Sequence, residues 1–425
     1  MAKQSTPSNE SSSIIWNSLE EMVRAKVREF IQDLLEAEVD ELLGRTKSQR
    51  RRLVDDPLVY RNGYGEERNL TLGCGTIAVR RPRVRGLEKR FESQVLPLFA
   101  KRTPEVNRLI PELYLHGLAL GDFDLALRGL LGKEAPLSAG TVARLKEKWQ
   151  AEWAAWRQRP LAGLEVVYLW VDGVYVKAGL EKDKAALLVV IGALAGGEKV
   201  ILAVEPGYRE SSESWSAVLR DLRERGMNPP KLVVGDGHLG IWGALSNVYP
   251  GVLEQRCWNH KVMNVLDKLP RKAQAQGKLG LGRIFLAETR PEAEANRRLF
   301  AQWCRQANYL NAKDALERDW ERMVTFYQFP REHWRHIRTT NIVESPFAAL
   351  RLRTAAAKRF KRVSNATAVI WKMMLLAERR FRKLDAPERM RKVFQGVLFK
   401  DGLEVIVVPN ENARAITIEK ELALA

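Results

Sequence analysis

Cysteine is scarce: only Cys74, Cys257 and Cys304 occur in 425 residues. So few thiols in so long a chain build no disulfide framework, which excludes the small stapled scaffolds and fits a reducing cytoplasm. Long apolar runs are also missing. No stretch approaches the ~20 residues of a membrane-spanning helix. The polar, Ser-rich start from Met1 to Ser13 has no apolar segment of the kind a secretion signal carries. A soluble intracellular protein is the expectation. Acidic residues are the minority charge, 52 Asp and Glu against 70 Lys and Arg, for a net charge of +18. That surplus says little about fold and points to an anionic partner, nucleic acid first. Apolar residues make up 45% of the chain, enough for more than one packed core.

From Ile15 through Leu19, Met22, Val23, Val27 and Phe30 to Leu43, apolar residues recur at helical spacing, and Gly44 stands where a helix C-cap belongs. A helix this long must bury its stripe on its own domain or on a second copy of the chain. Leu70–Leu72 and Thr76–Val79 flank Gly73-Cys74-Gly75 and read as a hairpin, trailed by Arg80, Arg81, Arg83 and Arg85. Pro104 to Trp149 reads as three short helices. The last starts at Ser138, with Val142, Leu145 and Trp149 on one face and Arg144, Lys146 and Lys148 outward. A helix-turn-helix reader of DNA fits there.

Near Leu164 the pattern changes. Val166–Val171, Ala185–Leu194 and Lys199–Val204 are β-rich apolar runs, followed by a helix over 211–225, a strand over 231–235, a helix over 239–248 and a strand over 252–257. Three strands, helix, strand, helix, strand is the order of the ribonuclease-H-like fold, an analogy at fold level. From Trp258 to about Phe329 the pattern is purely helical, with one run over 291–320; two helices follow at about 346–362 and 366–383. The expected fold class is α/β. A ribonuclease-H-like catalytic domain (164–257 and 331–395) carries an all-helical insertion (258–330). It follows a disordered lead (1–13) and a mainly α N-terminal region for DNA binding and oligomerisation (14–160). The tail, 396–425, contains a strand-like run, Leu403–Val408.

Asp172 ends the first strand of the α/β pattern, in Leu169-Trp170-Val171-Asp172-Gly173, and Asp236 ends the fourth, in Val233-Val234-Gly235-Asp236-Gly237. If those strands are neighbours, the two carboxylates converge. Hard divalent cations take oxygen ligands, and a pair of them can serve phosphoryl transfer. Glu344, in Asn341-Ile342-Val343-Glu344-Ser345-Pro346, is the candidate third acid. Each has a plainer reading: Asp-Gly after a strand is an ordinary turn, and Asn341-x-x-Glu344 can be a capping box.

The segments Asp172-Gly-Val-Tyr-Val-Lys177, Gly207-Tyr-Arg-Glu-Ser211, Gly235-Asp-Gly-His-Leu-Gly-Ile-Trp242 and Arg256-Cys-Trp-Asn-His260 resemble the Mutator-type bacterial insertion-sequence transposases, a DDE transposase family. So do Phe326-Tyr327, His333-Trp334, Arg338-Thr-Thr-Asn341 with Glu344-Ser345, and Arg351-Leu-Arg-Thr354. The likeness runs from about Leu34 to about Lys392. It implies that Asp172, Asp236 and Glu344 form a catalytic, metal-binding triad for two Mg²⁺ ions, with Mn²⁺ able to substitute. It also implies a helical insertion before the Glu and an N-terminal part that binds the element's terminal repeats. The partners expected are double-stranded DNA, as terminal repeats and as target, and further copies of the chain.

Cys257-x-x-His260 also matches a family signature, yet it is poor as a zinc site: two ligands, with Cys304, His333 and His336 in no recognised finger spacing. It reads as a Cys ending a buried strand with a His near the acids, or as a DNA contact in which Trp258 stacks on an unpaired base. His238 and Arg338 are further accessory candidates. Between residues 329 and 400 there are 18 Lys and Arg against 5 Asp and Glu. Arg351, Arg353, Lys358, Arg359, Lys361 and Arg362 follow Glu344 and read as a DNA track, joined by Arg144 and Lys148 upstream. A transposase is the leading expectation. A transposase-derived DNA-binding regulator without catalysis and a ribonuclease-H-like nuclease are the alternatives.

Overall fold

The computed structural model describes residues 10–49, 59–132, 139–179, 184–207, 211–237, 239–407 and 416–418. The chain divides into two compact units, residues 1–145 and 146–425.

In the first unit, α1 (Glu10–Leu43) closes at Gly44 with φ +59°, the left-handed conformation that glycine adopts most cheaply. Its Leu35 packs with Leu70, Ile77, Val79 and Leu96, with Val27 and Ile31 alongside. Part of the apolar stripe is therefore buried within its own unit, while Leu19, Met22, Val23, Phe30, Leu34 and Leu42 stay exposed. β1 (Tyr60–Leu72) and β2 (Gly75–Arg85) form an antiparallel ribbon that turns at Leu72↔Gly75. It is much longer than the apolar alternation suggested. Register shifts at Arg61/Tyr64 and Tyr64/Glu67 break the period of two that would have marked its outer half. α2 (Pro104–Leu115), α3 (Leu120–Leu131) and the start of α4 (Ala139–Arg157) match the expected helix trio. Ser138, the expected cap, lies outside the described residues. The region is thus helices plus a long β ribbon rather than nearly all helix.

The second unit is built on one sheet of β3 (Val166–Val176), β4 (Ala185–Leu194), β5 (Lys199–Gly207), β6 (Leu232–Gly235) and β7 (Leu253–Arg256). Its order is β5-β4-β3-β6-β7. The first three strands are antiparallel; β6 runs parallel to β3, and β7 to β6. α5 (Ser212–Glu224), capped by Ser211 Oγ accepting from the Ser214 N–H at 3.2 Å, and α6 (Leu239–Val248) cover one face. There Leu169, Val171 and Val233 meet Trp215, Leu219 and Ile241 in a dry core. Each such side chain contributes about 1.5–3 kcal/mol over leaving it exposed.

Strand residues alternate, so Tyr168 and Trp170 point to the other face. Tyr168 Oη lies 2.8 Å from His333 Nδ1, and Trp170 Nε1 donates to the His336 carbonyl at 3.0 Å. Between β7 and this region the described residues are helical. They form α7 (Trp258–Leu266), α8 (Arg271–Phe285), α9 (Arg290–Gln306), α10 (Leu310–Glu317) and α11 (Trp320–Met323), followed by two 3₁₀ turns. The run expected as one helix over 291–320 is broken where Asn308 and Asp319 take φ +58° and +60°. α12 (Trp334–Ile337), α13 (Asn341–Glu344), α14 (Phe347–Ala357), α15 (Val363–Glu378) and α16 (Pro387–Phe394) follow. The tail adds a small sheet of β8 (Phe399–Lys400), β9 (Leu403–Val407) and β10 (Ile416–Ile418). It is pinned by Gly402, whose carbonyl accepts from Arg331 N–H at 3.3 Å.

The C-terminal half of α4 belongs to this unit. Trp153 Nε1 donates to the Val204 carbonyl at 3.0 Å, and Lys372 Nζ pairs with Glu152 at 2.7 Å. Half of the helix expected to read DNA is thereby packed on β5 and α15. No helix among the described residues is long and apolar enough to cross a membrane.

Candidate active site

Parallel pairing makes neighbours of the strands associated with the first two acids. Tyr168, Leu169 and Trp170 of β3 are in register with Leu232, Val233 and Val234 of β6. β6 ends at Gly235, so Asp236 follows the strand beside β3, while Asp172 lies within β3 two residues past the last paired residue, Trp170. Alternation gives Asp172 the face of Trp170, away from the Leu169–Val171–Val233 core. Asp172 Oδ1 accepts from the Gly173 N–H at 2.8 Å. After Asp236 the chain turns through Gly237 at φ +100°, where a Cβ would sit 2.1 Å from Arg256 Nε. Only glycine fits there. Arg256 Nε donates to the Asp236 carbonyl at 3.3 Å and its NH1 pairs with Asp319 at 2.7 Å, tying this turn to the helical segment.

Glu344 arrives from the other end of the unit. Its short helix α13 packs on β3, which carries Asp172, and on the neighbouring β4. Thr340, fully buried, donates its hydroxyl to Glu344 Oε1 and stands 3.2 Å from Cys257 Sγ. Cys257 precedes α7 and His260 lies one turn in, so both face the same way. The ligand atoms of Cys257, His260 and Glu344 all lie within 4.8 Å of one another, and His260 Nδ1 is 3.8 Å from Glu344 Oε1. The His260 imidazole is pushed up to about 9, first by the Cys257 sulfur and then by the carboxylates of Glu344 and Asp236, against the effect of partial burial. His260 is thus in electrostatic reach of two of the three acids.

The remaining candidates separate. Trp258 is 1% exposed, donates Nε1 to the Met323 carbonyl at 2.8 Å and packs on Phe285 and Trp320. It is a core residue, and the expectation that it stacks on a base is corrected by that burial. Arg338 donates to the Phe285 and Trp334 carbonyls and lies over the Phe285 and Phe326 rings, a packing role. His333 is wholly buried, with Nε2 at 3.2 Å from the Ala386 carbonyl, and burial pulls its pKa down to about 4. His336 pairs with Asp385 at 3.2 Å. His238 lies outside the described residues. Thr340 and Arg256 had no role in the sequence reading; both sit inside motifs noted there, but only the fold shows what they touch.

Among the basic candidates, Arg351, Lys358, Arg359, Lys361 and Arg362 are exposed. Arg353 is not. It lies on the inner face of α14 at 2% exposure, which removes it from the DNA-facing series. Arg144 and Lys148 are exposed on α4, Lys148 3.8 Å from Glu152. In the first unit, Arg68, Arg81, Arg83, Arg85 and Arg90 line a cavity of about 500 Å³ on the β ribbon. The Arg81 pKa is lowered by burial and by the neighbouring Arg68 and Arg90.

A family profile described as Transposase, Mutator family, matches residues 2–381. The chain is 41% identical over 297 residues to the transposase for insertion sequence element IS6120 of Mycolicibacterium smegmatis, covering 70% of this chain and 92% of that protein. It is 40% identical over 293 residues to the transposase for insertion sequence element IST2 of Acidithiobacillus ferrooxidans, covering 68% and 99%. The transposase for insertion sequence element ISRM5 of Rhizobium meliloti is 29% identical over 344 residues, covering 80% and 83%. With so long a match, and relatives covered nearly end to end, this chain belongs to the Mutator family of transposases.

Proposed function

We propose that the chain cuts and rejoins DNA with a carboxylate triad of Asp172, Asp236 and Glu344, on a ribonuclease-H-like core that carries residues 258–330 as a helical insertion. The sheet order, three antiparallel strands followed by two parallel ones, supports the core assignment. One observation supports the active-site reading: the strands that carry Asp172 and lead to Asp236 are parallel neighbours, and the Glu344 helix packs on the first of them.

The donor set fits Mg²⁺, a hard ion that takes carboxylate oxygens. Asp172, Asp236 and Glu344 would hold two such ions, or Mn²⁺ in their place. The ions supply charge stabilisation for the attacking and leaving oxygens of phosphoryl transfer. The chain itself contributes position. The β3–β6 pairing supports the approach of two carboxylates, and the packing of α13 on β3 and β4 supports that of the third. The exposed Arg351, Lys358, Arg359, Lys361 and Arg362 lie after Glu344 in sequence and serve as phosphate contacts that hold the strand. The N-terminal unit, with its arginine-lined ribbon, binds the terminal repeats, and the exposed remainder of the α1 stripe is where a second copy would pack.

The test is to incubate purified protein, Mg²⁺ and a plasmid bearing the element's ends, then sequence the junctions. Ends joined to new phosphodiesters through their 3′-hydroxyls are expected. Binding without cutting would favour a regulator, and cutting without joining a nuclease.

A further inference from the structure

We propose that Cys257 and Thr340 form a hydrogen-bonded latch that positions the Glu344 carboxylate, so both are positioning residues for the reaction although neither touches DNA. The inference rests on the reading of Glu344 as a metal ligand. Thr340 and Cys257 are both fully buried. The Thr340 hydroxyl has one proton and two acceptors in reach: Glu344 Oε1, at a very short contact, and Cys257 Sγ at 3.2 Å. A hydrogen bond to an ionised carboxylate is about twice as strong as a neutral one, so the proton goes to Glu344.

Cys257 Sγ is the hydroxyl's second acceptor, and it also lies within 4.8 Å of the His260 ring nitrogen. Cys257 Sγ in turn accepts the Thr340 backbone N–H at 3.3 Å. Thr340 thus ties the sulfur to the carboxylate: its N–H donates to Cys257 Sγ, and its hydroxyl sits between Cys257 Sγ and Glu344 Oε1. The backbone closes the same joint. The Thr340 carbonyl accepts from Val343 and Glu344 N–H at 2.9 and 3.0 Å, and Trp258 N–H donates to the Arg338 carbonyl at 2.9 Å. The end of β7, which leads from the Asp236 strand, is thereby joined to the turn that presents Glu344. This gives the Cys257-x-x-His260 motif a division of labour: the thiol holds the latch from within, and His260 faces the carboxylate from the partly exposed side.

Partners of a metal ligand typically matter 10–100-fold in metal affinity or activity. Full-length Thr340→Val keeps the shape and removes the hydroxyl. Its half-saturating Mn²⁺ for strand cleavage should rise about tenfold, with the rate largely restored at saturating Mn²⁺, and its melting temperature in metal-free buffer should fall modestly while the fold is kept. Thr340→Ser should behave as wild type, a rescue that volume alone does not predict. If Thr340→Val does not fold, Cys257→Ala compared with Thr340→Ser carries the same contrast. Glu344→Gln, run in parallel, separates the two claims. If Glu344→Gln is inactive and the folded latch variants titrate like wild type, the latch is wrong and the triad reading stands. If Glu344→Gln cleaves normally, the triad reading fails and takes the latch with it. A raised Mn²⁺ requirement that Thr340→Ser abolishes, beside an inactive Glu344→Gln, supports both.

Discussion

His260 Nδ1 stands 3.8 Å from Glu344 Oε1, and each side chain is only 29% exposed. With Asp236 also in reach, the imidazolium offsets carboxylate repulsion when no cation is bound. His260→Gln should therefore lose about 1 kcal/mol of stability in metal-free buffer, a modest value for a half-buried ion pair. Added Mn²⁺ should shrink that loss if the triad holds the ions as proposed, since they would do the same neutralising. Equal losses with and without Mn²⁺, measured by urea unfolding, would show that His260 is not coupled to the cation site.

Burial holds His333 neutral, with its pKa lowered from 6.5 to about 4. A base depressed in the folded state contributes stability that is complete above pH 6.5 and drains away as the pH falls toward 4. The gap corresponds to about 3 kcal/mol. Wild type should lose more stability than His333→Gln between pH 7 and pH 4.5. Parallel pH dependences for the two proteins would be the contrary result.

Arg353 and its neighbours should divide by phenotype. Arg353→Ala removes a buried charged side chain and should cost about 3 kcal/mol of stability. Neutralising the exposed Arg351, Arg359 and Arg362 together should leave stability within about 0.5 kcal/mol. It should flatten the salt dependence of DNA binding by roughly 2.7 in log–log slope if all three touch phosphate. Salt titrations on end-bearing and random DNA read this out; an unchanged slope removes the track from this surface.

Trp258→Ala should behave as a core truncation, costing about 3–5 kcal/mol. Any loss of DNA affinity should track the loss of folded protein. Reduced affinity in a fully folded Trp258→Phe variant would instead support contact with a base.

The strands of the second unit were legible where they are buried on both faces. β4 appears with the bounds expected, as nearly every residue from Ala186 to Ala193 is apolar and dry. The outer half of the β1–β2 ribbon was not, since its residues are polar and the ladder is bulged. Helix ends at Asn308 and Asp319 depend on single left-handed residues that periodicity does not register. Of the site, the adjacency of the Asp172 and Asp236 strands followed from pattern; the expected strand end at Asp172 did not, since β3 runs on to Val176 and Asp172 lies within it. The surroundings of Glu344 did not. Which side chains meet it depends on how 331–344 folds back onto the sheet, 83 residues after Cys257 in the case of Thr340. Arg353 and Trp258 were misjudged for a related reason: charge and aromaticity suggest a ligand, while the face of the helix decides exposure.

The most direct measurement is strand cleavage at element ends in Mg²⁺ by Asp172→Asn, Asp236→Asn and Glu344→Gln, with end binding followed in parallel. Each substitution keeps the side-chain shape and removes the negative charge that a hard cation requires. Cleavage should fall to background in all three while the affinity for end DNA stays within a few-fold of wild type. Near-normal cleavage by any one folded variant would contradict its place in the triad.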